Sequence, residues 1–481
     1  MGARLLTFLF PGLFCICAIV NAQAPDTLWA KLYGGAGNDY GYWLDVTDDG
    51  GYIITGSYSL GVGNTDLYLV KTGEDGDTLW TSSYGGDFYD AGRWVYWTPD
   101  NGYFVAGIES RFNNTEKNVC VLKTDSLGNI LWNYSYGGEQ EDGVVTGQPT
   151  SDGGYILVGY TASFGLGYMD AWLLKLDADG DTVWTRTFGS GEYDSGRSVI
   201  QTPDGGYFVL CNINYGFNDT GLTLIKTDAN GDTLWSRRYC QNYATGVSII
   251  PTNDNRFMIL ANTLAFGDEF DIQMLKIDAN GDSLWTRVIG GLDIDMGNSI
   301  KQTDDDGFII CGITGPYFDQ DIYVVKTDAN GDTLWSSTFN GASYGNDLGT
   351  CAKPTADGGI ILTGSLSTTD VMQEICLIRF ESEQVGIEPD IPQAQAIYLS
   401  PNYPNPFNAS TTIKYGISRP EFVSLKIYDL LGRRVQILVE EYLEEGNHSI
   451  TFDAADLPSG IYFVKLQAGE TVETKRMVLL R

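Results

Sequence analysis

Seven tryptophans recur at nearly constant spacing: Trp29, Trp80, Trp132, Trp184, Trp235, Trp285 and Trp335, separated by 51, 52, 52, 51, 50 and 50 residues. One pattern surrounds them. An apolar strand ending in lysine is followed by an Asp/Asn/Gly turn and then a strand carrying the Trp, as in Lys226-Thr227-Asp228-Ala229-Asn230-Gly231-Asp232-Thr233-Leu234-Trp235. An aromatic residue and usually a glycine come next. Then follow a strand that starts near an aspartate, a turn such as Asp204-Gly205-Gly206, and a third strand, Tyr207-Phe208-Val209-Leu210. Each period therefore holds four short strands. No such unit buries both of its faces alone, so units must stack. Radial stacking of four-stranded units gives a β-propeller. A linear β-solenoid is the rival, but its rungs are shorter and lack four antiparallel strands.

The phase of the repeat makes the reading all-β with seven four-stranded blades over 23–380. The first Trp strand, Thr27 to Tyr33, has no partner in its own unit. The last unit ends at Leu377-Ile378-Arg379-Phe380 with no Trp strand after it. The N-terminal strand is expected to complete blade seven and close the ring, which removes exposed sheet edges. The turn with its Trp resembles the tryptophan-docking repeats of quinoprotein-type propellers. It is also similar to the Asp-box of sialidase-type propellers, with a different Asp–Gly–Trp spacing. Both resemblances bear on architecture, not chemistry.

Residues 1–22 read as a secretory signal peptide: Arg4, an apolar run from Leu5 to Val20, and Ala22 ahead of a cut before Gln23. An uncleaved anchor is the alternative. No later segment approaches the apolar length that spans a bilayer, so no transmembrane segment is expected after cleavage. Six cysteines then remain without metal spacing and read as buried thiols.

The formal charge is −33. Residues 23–380 carry 19 Lys and Arg against 48 Asp and Glu, so the acidity belongs to the repeats. Such a surface repels phosphate backbones and anionic lipids, and no nucleic-acid partner is expected. It suits divalent cations or neutral ligands such as sugars. The one histidine, His448, lies outside the repeats, which excludes a Ser-His-Asp triad, a Cys-His pair or a His-ligated zinc there.

An aspartate opens the inner strand of six blades: Asp39, Asp90, Asp142, Asp194, Asp295 and Asp347, with Ala244 in the fifth. A feature repeated in every unit favours structure over catalysis. The sharper alternative is a carboxylate ring holding a cation, calcium being the one ion considered. The Asp-Ala-Asn-Gly-Asp turns imitate the start of a calcium loop, but they lack the later bidentate Glu and read as hairpins. No other cofactor is expected. Four residues after the first aspartate, most blades have Thr, Ser or Cys, whereas blades one and two have Trp43 and Trp94. Together with Arg93, Tyr96 and Trp97 these form the candidate binding cluster, set against plain packing. Loops on the face opposite the short turns carry aromatics beside carboxylates, a candidate sugar platform.

Residues 381–397 contain Pro389 and Pro392, lack apolar periodicity and read as a linker. From 398 to 481 the pattern changes to alternating strands, an Ig-like β-sandwich. Pro404-Asn405-Pro406-Phe407-Asn408, Ile427-Tyr428-Asp429, Gly446-Asn447-His448, Ser459-Gly460-Ile461-Tyr462 and Lys475-Arg476-Met477 resemble the type A sorting domain of the type IX secretion system. That resemblance implies a Gram-negative envelope, handling by the type IX machinery, and release from the cell or attachment to its outer surface. The expected role is therefore a secreted or surface binding or adhesion module with a glycan or protein ligand. The alternatives are a glycan-active hydrolase or lyase without histidine, and a calcium-stabilised structural surface protein.

Overall fold

The computed structural model describes residues 24–382 and 397–479, apart from 62, 113–115, 217–218, 240–243, 265–268, 292, 342–344, 369–371, 400–401, 403–406, 408, 418, 431–432, 444–445, 456 and 470. The leader (1–22), most of the linker, and Pro404, Asn405, Pro406 and Asn408 of the sorting motif lie outside the described residues. The chain divides into two compact units after Glu383. Among the described residues no helix is long and apolar enough to cross a membrane.

The first unit is seven four-stranded antiparallel sheets. In blade one, Tyr40–Val46, Tyr52–Gly61, Asn64–Thr72 and Thr78–Tyr84 pair in sequence order. Blades two to six repeat that order. Blade seven is built from Leu348–Pro354, Ile360–Ser367, Gln373–Phe380 and the N-terminal strand Thr27–Tyr33. The ring closes as the phase of the repeat requires, with Tyr33 opposite Ile375 and Thr27 opposite Phe380.

Blades adhere through the recurring tryptophans. Six of the seven outer-strand Trp residues reach the turn of the next blade and lie against its glycine, as Trp29 on Gly76, Trp80 on Gly128, Trp184 on Gly231 and Trp285 on Gly331. Those glycines sit at positive φ, as the turn demands. The last aspartate of the turn receives a cation from the preceding blade, Arg186 to Asp232 at 2.9 Å and Arg287 to Asp332 at 3.1 Å. Its first aspartate accepts two turn amides: Asp228 Oδ1 takes Asn230 N–H and Asp232 N–H. The calcium-loop imitation thus works as a hairpin that docks its neighbour. Trp335, with no intact turn ahead of it, is buried in a cluster that Ala24 joins.

A second network ties each inner hairpin to the third strand. Lys226 Nζ donates to Thr202 Oγ1, Asp204 and the Thr227 carbonyl. The same Lys–Asp pair recurs as Lys71–Asp49, Lys123–Asp100, Lys175–Asp152, Lys276–Asp254 and Lys326–Asp305, and Arg379–Asp357 replaces it in blade seven. Cys120, Cys211, Cys311, Cys351 and Cys376 are buried free thiols.

The second unit has a three-stranded sheet (Ile397–Leu399, Ser410–Ile417, Gly446–Asp453) and a four-stranded one (Glu421–Asp429, Arg434–Leu443, Gly460–Ala468, Thr471–Leu479), a β-sandwich. Phe407 is buried and bridges to Leu479. Tyr462 is buried, and its hydroxyl donates to the Pro458 carbonyl at 2.8 Å. Ser459 precedes the strand that Gly460 and Ile461 open. His448 stacks on Tyr415 in this unit, with centroids 5.4 Å apart.

Candidate functional site

The seven inner strands wall a central cavity of about 540 Å³. Each carries a bulge against its hairpin partner, at Gly41/Trp43, Gly92/Trp94, Val144/Thr146, Gly196/Ser198, Gly246/Ser248, Gly297/Ser299 and Gly349/Cys351. A bulge re-aims the extra side chain. The extra residues are Tyr42, Arg93, Val145, Arg197, Val247, Asn298 and Thr350, and all seven line the cavity. Three residues on, about 10 Å along a strand, a second ring lines it: Asp45, Tyr96, Gln148, Ile200, Ile250, Lys301 and Lys353.

These rings hold four cations and one carboxylate. The Arg93 guanidinium lies 4.3 Å from the Tyr42 ring centroid and donates weakly to Tyr89 Oη at 3.4 Å. Among the described residues Arg197 makes no hydrogen bond or ion pair, and its Nε is buried without a partner. Burial, and then the nearby Arg93 charge, hold the Arg197 pKa below the ordinary arginine value. Lys301 stands over Trp43, its Nζ 5.6 Å from the ring centroid. Burial, followed by the Lys353 charge, lowers its pKa as well. Asp45 is committed elsewhere: Oδ1 accepts from Lys353 Nζ at 2.6 Å, and Oδ2 accepts Trp97 N–H at 2.9 Å.

Of the sequence-derived cluster, Trp43, Arg93, Trp94 and Tyr96 share this wall. Trp97 does not; it faces a cleft beside Lys71, Trp80 and Tyr103. Trp94 is only 4% exposed and sits in the apolar layer between blades with Phe104, Val121 and Leu157. It stacks on Tyr96 with rings 6.0 Å apart and nearly parallel. These Trp positions follow the bulge and point between blades, so the rings fill core more than they face the channel.

The six opening aspartates are buried pins, one in every blade but the fifth. Asp39 accepts Gly35 N–H at 2.6 Å and Ser59 N–H at 2.7 Å. Asp90 accepts from Gly86 and Ser110, Asp194 from Ser190 and Asn214, and Asp347 from Gly341 and Ser367. Asp142 takes the Thr161 and Ser163 hydroxyls, and Asp295 takes Thr314 Oγ1. Each thus ties the loop entering its blade to the strand beside it. Burial raises the pKa of Asp39, Asp90, Asp295 and Asp347, and those hydrogen bonds oppose the rise. Among the described residues no group of three or more His, Cys, Asp or Glu is arranged to hold a metal.

Sequence reasoning missed the carboxylates set against these pins. Gly85 lies between Asp66 and Asp90, and Gly189 between Asp170 and Asp194. It also missed Arg197, Lys301 and Lys353. Their ring positions vary from blade to blade, from Val145 and Ile200 to Asn298 and Gln148, and the direction a bulge imposes is not visible as a sequence pattern.

The loop face carries exposed aromatics. Tyr168 (64% exposed) and Tyr193 (61%) stack at 5.4 Å and 8°. Tyr317 and Phe318 protrude from another blade. A smaller cavity of about 340 Å³ on this face is lined by Thr65, Tyr89, Arg93, Lys117 and Tyr160, and Arg93 belongs to both cavities. Lys117 there is paired with Glu141 at 3.0 Å.

The fold and the rings define a propeller with a cationic channel, on a chain that ends in a second, sandwich unit. Residues 402–480 match the family described as the secretion system C-terminal sorting domain. The protein is therefore secreted or attached to the outer surface of a Gram-negative cell, and the secretion machinery handles it through this domain. No curated protein matches the chain. Similar solved structures include a fungal alcohol oxidase of the AA5 family in complex with copper (11% identity, TM-score 0.46, covering 95% of this chain and 100% of that one). They also include PorZ, a bacterial surface component of the type IX secretion system of Porphyromonas gingivalis (12%, 0.34, 88% and 65%). A third is the β-propeller domain of the trilobed protease from Pyrococcus furiosus (9%, 0.42, 72% and 94%). No activity carries over from any of them.

Proposed function

We propose that the exported protein is a non-catalytic, glycan-binding surface module that presents the loop face of its propeller. In this reading residues 1–22 are the removed leader, 23–380 the binding unit, 381–397 the linker and 398–481 the sorting domain. The observation that carries it is the Tyr168–Tyr193 pair, two parallel rings from adjacent loops left in solvent. Exposed aromatics in register do nothing for the core, and they offer the apolar face of a sugar ring a stacking surface. A glycosidase would need a second carboxylate near the first. Among the described residues the channel lining supplies one carboxylate, Asp45, already bound to Lys353 and the Trp97 amide.

The test is a glycan array with the chain from Gln23, with and without a chelator, beside a Tyr168→Ala/Tyr193→Ala variant. Selective binding that survives chelation and is lost in the variant supports the reading. Binding that is unchanged in the variant, or absent from the array, overturns it.

A further inference from the structure

The channel has the opposite sign to the molecule around it. In a chain of net charge −33, its two rings hold Arg93, Arg197, Lys301 and Lys353 against Asp45. Lys353 consumes that carboxylate. Arg93 rests on Tyr42, and among the described residues Arg197 and Lys301 have neither hydrogen bond nor ion pair.

The blade architecture does not require a cation at the Arg197 or Lys301 position. Arg197 occupies a ring position that Val145 and Val247 fill in neighbouring blades, and Lys301 one that Ile200 and Ile250 fill. The scaffold therefore accepts apolar side chains at both levels. Holding a partly buried cation without a partner costs free energy. Inside the protein the cations' field is less screened than in bulk water and is concentrated toward the cavity axis. An oxyanion placed there would gain charge-assisted hydrogen bonds and relieve the repulsion between Arg93 and Arg197.

We propose that the central channel is an oxyanion site that takes the carboxylate or sulfate group of an acidic glycan, held by Arg93 and Arg197 on one ring and Lys301 on the other. The inference rests on the glycan-binding reading and deepens it. The cavity's volume of about 540 Å³ has room for such a group, and Arg93 also lines the smaller cavity on the loop face, so the acidic end of a ligand would lie beside that second cavity.

The experiment is titration calorimetry on the chain from Gln23 with four probes: inorganic sulfate, a sulfated disaccharide, a glucuronate-containing disaccharide and a neutral disaccharide of the same linkage. Arg197→Met and Lys301→Met remove charge at similar volume, and Arg197→Lys restores it. At least one acidic disaccharide is expected to bind about tenfold or more tighter than the neutral one, and each Met variant is expected to lose about tenfold of that affinity. Arg197→Lys should recover part of the loss, and thermal melts should stay within a few degrees of the parent, since among the described residues neither cation has a hydrogen bond or ion pair. Equal affinity for acidic and neutral probes, or affinity unchanged in both Met variants, overturns the proposal. Sulfate alone binding as tightly as the disaccharides overturns the glycan assignment. Tyr168→Ala/Tyr193→Ala tells the two readings apart. Acidic binding that survives in it sinks the loop-face reading only, and neutral binding with no acidic preference sinks the channel only.

Discussion

Trp184 lays its six-membered ring on Gly231 of the next blade so closely that a Cβ there would stand 2.7 Å from Trp184 Cζ3. Gly231 also holds φ at +79°, a left-handed turn conformation. Both facts act at one position: the hairpin needs glycine, and the docked ring leaves no room for anything larger.

Gly231→Ala should therefore destabilise more than Gly205→Ala. Gly205 has a similar φ of +84° but nothing within 4 Å of the added methyl. Left-handed backbone alone costs about 1–2 kcal/mol for a non-glycine residue. Overpacking against a fixed ring adds about 1–3 kcal/mol. Chemical denaturation of the two variants checks the ordering, and equal losses would show that the Trp contact is slack.

Closure by the N-terminal strand predicts a different failure. Deleting Thr27–Tyr33 strips the strand paired with Gln373–Phe380 and leaves that edge open in blade seven. An open edge invites pairing with another chain. The shortened protein should form concentration-dependent oligomers or aggregates, read by light scattering. Adding back a synthetic peptide of the strand should suppress them.

Architecture was legible because it is written seven times. The Trp period, the glycine turns and the missing partners at both ends specify blade number and closure without any tertiary knowledge. The opening aspartates were legible as a set but not as loop pins, since their partners are backbone amides such as Gly35 N–H and Ser59 N–H, which carry no residue signature. The channel was the hardest part. Net charge reports the outer surface, and that acidity pointed toward cations and neutral ligands. Arg197 and Lys301 sit at ring positions whose residue type changes from blade to blade, so no repeat pattern marks them, and the bulge that precedes or contains them sets their direction. Trp43 and Trp94 stood out by size, yet size is equally what an inter-blade core requires.

Acid and base sides of the stability profile should have different owners. Asp321 is pushed up to about 6 by burial and by the Asp347 and Asp319 charges. Its folded pKa exceeds the unfolded value of about 3.9, so the folded state binds the extra proton between the two. Stability is then lost as pH rises through that window and stays lower above it. Asp321→Asn should raise Tm at pH 7.5 and leave it unchanged at pH 3.5. Asp204 has the reverse sign. Burial raises it, but hydrogen bonds from Thr202, Lys226 and the Gly206 amide more than offset that and hold it at about 2. Its contribution is present above about pH 4 and lost as pH falls toward 2. Asp204→Asn should lower Tm at pH 7.5, with the difference shrinking as pH falls toward 2. Tm profiles of the two variants crossing the parent in the same direction would refute the assignment.

Phe407 offers a way to disable sorting while sparing the propeller. It is buried in the sandwich core and packs near Phe452, with ring centroids 5.9 Å apart. Truncation to alanine leaves a cavity worth about 3–5 kcal/mol in a core of this kind. That is a large share of what a small domain has in total. All eleven tryptophans lie between Trp29 and Trp335, so tryptophan fluorescence reports the propeller alone. Phe407→Ala should leave the fluorescence melt of the propeller unmoved while the protein accumulates in the periplasmic fraction instead of reaching the medium or cell surface. A fluorescence melt lowered together with export would mean that the two units fold as one. Normal export would mean that the machinery reads the chain without a folded sandwich core.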